Sequence, residues 1–213
     1  MIRVSRLLSA GSLVVASVVV LTPSASAAVD ASCDYAAGKK LVTFRLPADD
    51  FDEGPFVIGR VPGSKRIGYG TGETDGKRCS SATVTNTNKV KVVGSQHSEH
   101  VVLSLEGGSL APGAANERKG VSEIEIVGDL GDGTDTLTVR GGNGDNRLAI
   151  RSGSSAAYNG DEDSDVNLTG LNEWRLEGGR GNDVLDARGA PMVDAYGQEG
   201  GDRTVDADQR GEG

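Results

Sequence analysis

The chain has 213 residues, of which 32 are glycine, and aromatic residues account for only 4% of the total. Glycine is therefore about twice as frequent as in ordinary globular proteins, which argues against a conventional packed-layer enzyme fold. Acidic residues outnumber basic ones by 31 to 22, and residues 128–213 alone hold 18 acids against 8 bases. This distribution argues against nucleic acid and anionic membrane surfaces as partners, and it favours cations.

The first 27 residues have the pattern of a secretory signal peptide. Arg3 and Arg6 form a basic start, Leu7–Leu21 is an apolar stretch, and Ala25–Ala27 is a small-residue cleavage site. The apolar stretch is shorter than the roughly twenty residues that a membrane-spanning helix needs, and no second such stretch follows it in the sequence. We therefore expect residues 1–27 to be removed and the mature protein to be secreted, extracellular and soluble, without membrane insertion.

The mature chain contains two cysteines, Cys33 and Cys79. In an oxidising compartment, two cysteines most simply form one disulfide. Closing the loop between them is worth roughly 3–4 kcal/mol in the chain-entropy model. A catalytic thiol is the alternative role for one of these residues.

Residues 28–80 are expected to form a small, disulfide-linked, β-rich N-terminal region. Lys40–Leu46 alternates apolar and polar residues as a strand does, and Phe56–Val61 is a second candidate strand. The dipeptide Gly63-Ser64 and the glycine-rich segment Gly68–Gly72 predict turns.

From residue 81 onward, short runs of valine, leucine and isoleucine recur, each bounded by turn-forming residues. The runs are Val90–Val93, Val101–Leu105, Ile124–Ile126, Leu137–Val139 and Leu148–Ile150. Each run has the length of a strand. The stretch from Gly107 to Gly120, which contains Pro112, predicts a loop inserted between two strands.

Four glycine- and acid-rich loops recur at a nearly constant interval in residues 128–213. They are Gly141–Asn146, Gly160–Asp165, Gly178–Asp183 and Gly197–Asp202, and their last residues are 19, 18 and 19 positions apart. A second series of less acidic loops alternates with them and starts at Arg151, Thr169, Ala187 and Ala207. Two interleaved series with one shared period indicate a repeat architecture.

Two short strands and two short loops complete one coil of about 18 residues, so we predict an all-β parallel β-roll or β-helix solenoid. Successive coils would lie about 4.8 Å apart, with each acidic loop above the previous one along a single edge. One sheet is predicted to contain Arg147–Ile150, Val166–Leu168, Val184–Ala187 and Arg203–Ala207. The opposite sheet is predicted to contain Thr136–Val139, Ala156–Tyr158, Glu173–Leu176 and Met192–Ala195. Residues 81–127 would form metal-free coils, and residues 128–213 the acidic coils.

Carboxylates stacked at that spacing repel one another unless a cation lies between them. Calcium suits this position because it takes about six to eight oxygen ligands in flexible geometry. Glycine can present its carbonyl group from backbone conformations that other residues rarely adopt. The acidic loops therefore predict Ca²⁺ as the cofactor.

The segment Gly178–Asp186 has the sequence Gly-Gly-Arg-Gly-Asn-Asp-Val-Leu-Asp. It resembles, at every defined position, the calcium-binding nonapeptide of the RTX, or haemolysin-type, repeat family of secreted bacterial proteins. Gly141–Ala149 matches except that Asn146 replaces the aspartate, and Leu130–Thr138 matches except for its first glycine.

The resemblance implies a β-roll in which calcium lies between the loops of successive turns. In that family the carbonyls of the second and fourth loop residues and the carboxylate of the sixth bind calcium. Carried over position by position, the implied ligands are Gly142, Gly144 and Asn146, then Gly179, Gly181 and Asp183, and finally Gly200 and Asp202. The loop Gly160–Asp165 departs from the pattern and would either bind through Asp163 and Asp165 or only pack. Gln198 and Thr204 depart from it in the last loop, which weakens the site expected there.

Several alternatives stay open. Glycine and aspartate loops are also typical of solvated turns that bind no metal. His97 and His100 predict a polar turn rather than a metal pair, and Tyr158 and Trp174 are expected in the core or on a sheet face rather than stacked on a sugar.

The sequence contains no nucleophile-elbow motif. We therefore expect a secreted calcium-binding protein, not an enzyme, in which calcium is structural. A calcium-dependent cell-surface adhesion module, with an unidentified protein or cell-surface partner, is one alternative. A β-helix polysaccharide-degrading enzyme is the other.

Overall fold

The computed structural model describes residues 31–47, 54–72, 77–116, 120–190 and 193–205. The predicted signal peptide, residues 1–27, lies outside these ranges. Within them the chain forms sixteen strands and one short 3-10 helix, and no helix is long and apolar enough to cross a bilayer. The described part is therefore all-β, as the sequence predicts.

The strands are numbered in chain order. They are β1 Ser32–Ala36, β2 Leu41–Arg45, β3 Phe56–Arg60, β4 Arg66–Thr71, β5 Lys77–Thr83, β6 Lys89–Ser95, β7 His100–Ser104, β8 Glu125–Gly131, β9 Asp135–Arg140, β10 Arg147–Ser152, β11 Ser155–Ala157, β12 Val166–Thr169, β13 Leu171–Arg180, β14 Val184–Asp186, β15 Val193–Glu199 and β16 Arg203–Val205. The 3-10 helix Ala37–Lys39 joins β1 to β2. All five apolar runs predicted as strands are confirmed, although β7 ends one residue early and β8 begins one residue late.

The strands form two mixed sheets. Sheet A has the order β1-β2-β6-β8-β12-β11-β10-β14-β16, and sheet B has the order β15-β13-β9-β7-β3-β4-β5. The chain passes repeatedly from one sheet to the other, and strands from successive passes pair in parallel, as β6 does with β8 and β7 with β9. Antiparallel pairs occur at the N-terminal strands and around β11.

One hydrophobic core joins the inner faces of both sheets. Along β2, Val42 and Phe44 are buried while their neighbours are more exposed, which is the period of two that a strand with one buried face requires. Parallel pairing then aligns Val90, Ile126 and Val166 on three neighbouring strands, and all three are buried. The core is therefore built by stacking equivalent apolar positions.

Tyr158 and Trp174 both belong to this core, with exposed fractions of 3% and 1%. The Tyr158 hydroxyl donates to the Ile124 carbonyl at 2.8 Å, and the Trp174 indole N–H donates to the Gly153 carbonyl at 3.0 Å. Each polar group thus has the partner that a buried aromatic residue needs. The prediction that both are core or sheet-face residues is confirmed.

The N-terminal strands lie at one end of both sheets, where β1 is the edge strand of sheet A and β5 the edge strand of sheet B. The predicted disulfide between Cys33 and Cys79 is present and links these two edge strands, with the Cα atoms 5.6 Å apart. The rings of Phe44, Phe56 and Tyr69 pack together in the same region.

The segment Gly68–Gly72 is not the predicted turn. Most of it belongs to β4, which pairs antiparallel with β3 and β5. Ile67 belongs to the core and Tyr69 packs against it, and this burial outweighs the low strand preference of Gly68 and Gly70.

The regular coil predicted for residues 147–168 is interrupted. The sequence predicts Ala156–Tyr158 in the opposite sheet, but β11 lies in sheet A and pairs antiparallel with both β10 and β12. The cause is the turn at Gly153-Ser154, since Ser152 pairs with Ser155 and a two-residue turn led by glycine reverses a strand within its own sheet. The other predicted strands lie in their predicted sheets, although Met192 and residues 206 and 207, which belong to two of these predictions, lie outside the described residues.

This interruption changes the interval between stacked strands. Arg147 at the start of β10 pairs with Val184, 37 residues later, whereas Val184 pairs with Arg203, 19 residues later. The predicted period of about 18 residues therefore holds from β13 onward, and larger intervals separate the stacked strands before it.

We expect replacement of both cysteines by alanine to lower the free energy of unfolding by about 3–4 kcal/mol, because the disulfide lowers the conformational entropy of the unfolded chain. Urea unfolding of the wild-type and Cys33→Ala/Cys79→Ala proteins measures this difference. Equal stability of the two proteins would show that the link between the edge strands does not matter for folding.

Candidate metal centre

Three of the predicted calcium loops lie side by side at one edge of sheet A. Loops 141–146, 178–183 and 197–202 each end directly before a strand, and these strands, β10, β14 and β16, are adjacent, parallel and aligned at their first residues. We call this row of three loops the acidic edge. Because each strand begins right after the sixth residue of its loop, stacking the strands also stacks the sixth residues.

The sixth residues of the acidic edge are joined by hydrogen bonds from backbone to side chain. The N–H of Asn146 donates to Oδ1 of Asp183 at 2.8 Å, and the N–H of Asp183 donates to Oδ1 of Asp202 at 3.0 Å. The carboxylates of Asp183 and Asp202 thus each accept a backbone hydrogen bond from the preceding loop of the row.

The fifth residues form a second row that runs in the opposite sense. The N–H of Asn182 donates to Oδ1 of Asp145 at 2.8 Å, and the N–H of Gly201 donates to Oδ1 of Asn182 at 3.0 Å. Sequence analysis missed Asp145 and Asn182 because the repeat pattern leaves the fifth position undefined. The two rows together fix the register between neighbouring loops.

Loops 178–183 and 197–202 share a backbone conformation at their second and fourth residues. The φ angles are +90° and +123° at Gly179 and Gly181, and +79° and +141° at Gln198 and Gly200. Gln198 therefore occupies a left-handed position that costs a non-glycine residue roughly 1–2 kcal/mol. This cost is the structural consequence of the departure from the repeat pattern at that residue.

Loop 141–146 differs from these two loops. Gly142 and Gly144 have φ angles outside the left-handed region. The loop nevertheless packs closely on its neighbour, because a Cβ on Gly179 would lie 2.5 Å from the carbonyl oxygen of Gly142. All predicted ligands of the acidic edge are therefore brought into one row, but the first loop holds a different shape.

Asp183 lies in an environment that favours a bound ligand. Its exposed fraction is 1%, and its Oδ2 atom has no hydrogen-bond partner among the described residues. Oδ2 faces Gly178, where a Cβ would collide with it. A buried oxygen without a partner costs about 1–3 kcal/mol, and more when it is charged. With Asp202 on the next loop, the carboxylates and glycine carbonyls fit a hard divalent cation.

Asp165 does not join the acidic edge. Strand β11 lies between β12 and β10, and Ala156 pairs with Val166 on one side and with Ile150 on the other. Asp165 therefore aligns with position 149 of β10 rather than with Asn146. It is fully buried, and its Oδ2 accepts the N–H of Tyr158 at 2.7 Å. The prediction that each acidic loop lies above the previous one is therefore wrong for loop 160–165.

Asp163 lies instead in a separate acidic cluster with Glu123 and Asp161. One carboxylate oxygen from each of the three residues lies within 4.8 Å of the others. The N–H of Val121 donates to Oδ2 of Asp161 at 2.7 Å, and Asn159 donates to Glu123 at 2.7 Å. Burial raises the pKa of Asp161, but hydrogen bonds from Asp163 and Val121 outweigh it and the pKa is lowered. Glu123 was not predicted because it lies outside every repeat.

The opposite edge of the sheets carries a row of residues that sequence analysis also missed. The N–H of Glu99 donates to Oδ1 of Asp135 at 2.8 Å, and the N–H of Asp135 donates to Oδ1 of Asn172 at 2.7 Å. Asp135 is the sixth residue of the near-match Leu130–Thr138, so that motif lies on the edge away from Asp183. The intervals of 36 and 37 residues between Glu99, Asp135 and Asn172 are the sequence pattern that points to this row.

Glu99 and Asp135 form a buried pair of carboxyl groups, with exposed fractions of 2% and 0%. Burial raises the pKa of Glu99 to about 7, and the neighbouring Asp135 carboxyl adds to this increase, while hydrogen bonds from Ser95 oppose it. Glu99 is therefore partly protonated at neutral pH. The proton lets two carboxyl groups occupy a site where two negative charges would repel each other.

Comparison of the chain with protein-family models, curated proteins and solved structures finds no match. The similarity to calcium-binding repeats therefore depends on the loop residues themselves.

We expect the free energy of unfolding to fall by roughly 1–3 kcal/mol as the pH rises from about 4.5 to 8 because of Glu99. The folded protein binds this proton more tightly than the unfolded chain, so the contribution is complete below pH 4.5 and is lost as the pH passes 7. Urea unfolding across this pH range should show the loss in the wild type but not in Glu99→Gln.

The exposed Glu106 provides the matched control, because Glu106→Gln makes the same change without burial. Burial lowers the pKa of the half-buried His100. Because all three proteins retain this histidine, its contribution to the pH dependence of the unfolding free energy cancels in the comparison. A Glu99→Gln profile parallel to that of the wild type would contradict the assignment.

Proposed function

We propose that this chain is a secreted calcium-binding protein related to the RTX repeat proteins, in which calcium is structural and joins loops 178–183 and 197–202 of the acidic edge. The proposed ligands nearest the buried charge are Asp183 and Asp202, with the carbonyls of Gly179, Gly181 and Gly200. The predicted signal peptide supports secretion, and the acidic C-terminal half supports a cation as the partner.

The proposal includes a β-roll architecture, with the two sheets as the two faces of the roll. Three observations support it: the alternation of successive strands between the sheets, their parallel pairing, and the alignment of loops at both edges. The hairpin β10–β11 would be an insertion into this roll.

The observation that carries the calcium proposal is the buried Oδ2 of Asp183. This atom has no hydrogen-bond donor among the described residues, it faces Gly178, and Asp202 follows Asp183 in the row of sixth residues. Water is largely excluded at 1% exposure, so a cation bound to the oxygen is the simplest way to stabilise its charge.

The proposal assigns no catalytic activity to the chain. Tyr158 and Trp174, the aromatic residues considered for stacking on a sugar, are buried in the core. His97 is exposed and the His100 ring instead lies against Thr138, with Nε2 and Oγ1 2.9 Å apart. These contacts favour a binding protein over a polysaccharide-degrading enzyme.

We expect Ca²⁺ to raise the midpoint of thermal unfolding of the purified protein, because a ligand that binds the folded state stabilises it. The same concentration of Mg²⁺ should have a much smaller effect, since Mg²⁺ requires tighter octahedral geometry. In Asp183→Asn the calcium affinity measured by calorimetry should fall by about tenfold or more, because one charged ligand is lost.

Asp186→Asn is the matched control, since Asp186 lies in the adjoining strand β14 and forms an ion pair with Arg188. Asp202→Asn provides a second variant on the next loop if Asp183→Asn does not fold. Wild-type protein that gives neither binding heat nor a shift in unfolding temperature would overturn the proposed function.

A further inference from the structure

The side-chain amide of Asn146 lies in an unusual position, where oxygen atoms converge from two neighbouring loops. Its Nδ2 atom is within hydrogen-bond distance of the carbonyls of Gly142, Gly144 and Gly178 and of Oδ1 of Asp183. The distances to Gly178 and Asp183 are 3.1 and 3.0 Å. Three carbonyls and one carboxylate around a single point form the type of ligand set that binds a hard cation.

The orientation of this amide is fixed by its neighbours. Oδ1 of Asn146 accepts the N–H of Gly142 at 3.2 Å. Turning the amide over would place Oδ1 against four acceptors and Nδ2 against a donor, so every contact would become repulsive. The group at the centre of the four oxygens is therefore the amide N–H₂, which carries partial positive charge.

The backbone of the same loop supports this interpretation. Gly142 and Gly144 lack the left-handed φ angles found at Gly179 and Gly181. The loop that ends in asparagine thus has its own shape, in which its carbonyls lie within reach of its own side-chain amide.

We propose that the Asn146 amide takes the place of a divalent cation between loops 141–146 and 178–183, so that this level of the acidic edge is closed to calcium. The amide uses Oδ1 of Asp183, and Oδ2 of Asp183 is left for a cation. The inference thus deepens the proposed function, and it differs from the sequence-based expectation that Asn146 is itself a ligand.

The decisive variant is Asn146→Asp, studied with CaCl₂ alone after removal of metal by a chelator. An aspartate would place a carboxylate oxygen among four other oxygens, and a cation would be needed at their centre. We expect calorimetry to show one more Ca²⁺ per chain than the wild type binds. We also expect the variant to unfold at a lower temperature than the wild type in chelator and to recover in calcium.

Two further measurements keep the inference testable if Asn146→Asp does not fold. Asn146→Ala should bind no fewer calcium ions than the wild type, whereas loss of one ion would show that Asn146 is a ligand and would overturn the inference. In the wild type, the Asn146 side-chain amide protons should exchange slowly by NMR in chelator, and exchange at the rate of a free amide would also overturn it.

The outcomes separate this inference from the proposed function. If the wild type binds no calcium, the proposed function fails, yet a gain of one ion in Asn146→Asp would still support the role of the amide. If the wild type binds calcium and a folded Asn146→Asp binds the same number, the proposed function stands and the inference fails.

Discussion

Parallel pairing of successive strands imposes the main constraint on this molecule. It places equivalent loop residues about 4.8 Å apart, so that the residue at the end of each loop meets its own counterpart. When that residue is acidic, like charges meet in a row, as Asp183 and Asp202 do. One oxygen of each such carboxylate can accept a backbone N–H from the preceding loop, but the second oxygen needs another partner.

The structure and the proposals made from it give three solutions to this problem. On the edge opposite Asp183, the Glu99–Asp135 pair holds a proton, because burial raises the pKa of Glu99 to about 7. At Asn146 an amide N–H₂ lies among the oxygens where a cation would otherwise be needed. At Asp183 the proposed solution is calcium. Each solution places positive charge or a hydrogen-bond donor where the stacking of the loops has brought carboxylate and carbonyl oxygens together.

The sequence predicts the strands, the two sheets and the acidic edge well where the repeat is regular, because the 19-residue interval from Val184 to Arg203 is visible in the loops. It fails at β11, where residues 151–155 predict a loop between the sheets but Gly153-Ser154 forms a two-residue hairpin turn within sheet A. The site residues Asp145 and Asn182 could not be found from a pattern that leaves their position undefined. For Glu99 the 36-residue interval to Asp135 is a sequence signal, but its role depends on burial beside that residue.

The two ends of the molecule are therefore stabilised by different means. At the N-terminal end a covalent bond links the edge strands of both sheets, and the packed rings of Phe44, Phe56 and Tyr69 add burial there. Toward this end of sheet A, β14 and β16 are only three residues long, and the loop residues change from the neutral Asn146 to the charged Asp183 and Asp202. The proposed need for a cation thus increases as the covalent and hydrophobic support decreases. Since the least supported segments of a protein open first, removal of calcium should loosen β14–β16 while the sheets near the disulfide remain folded.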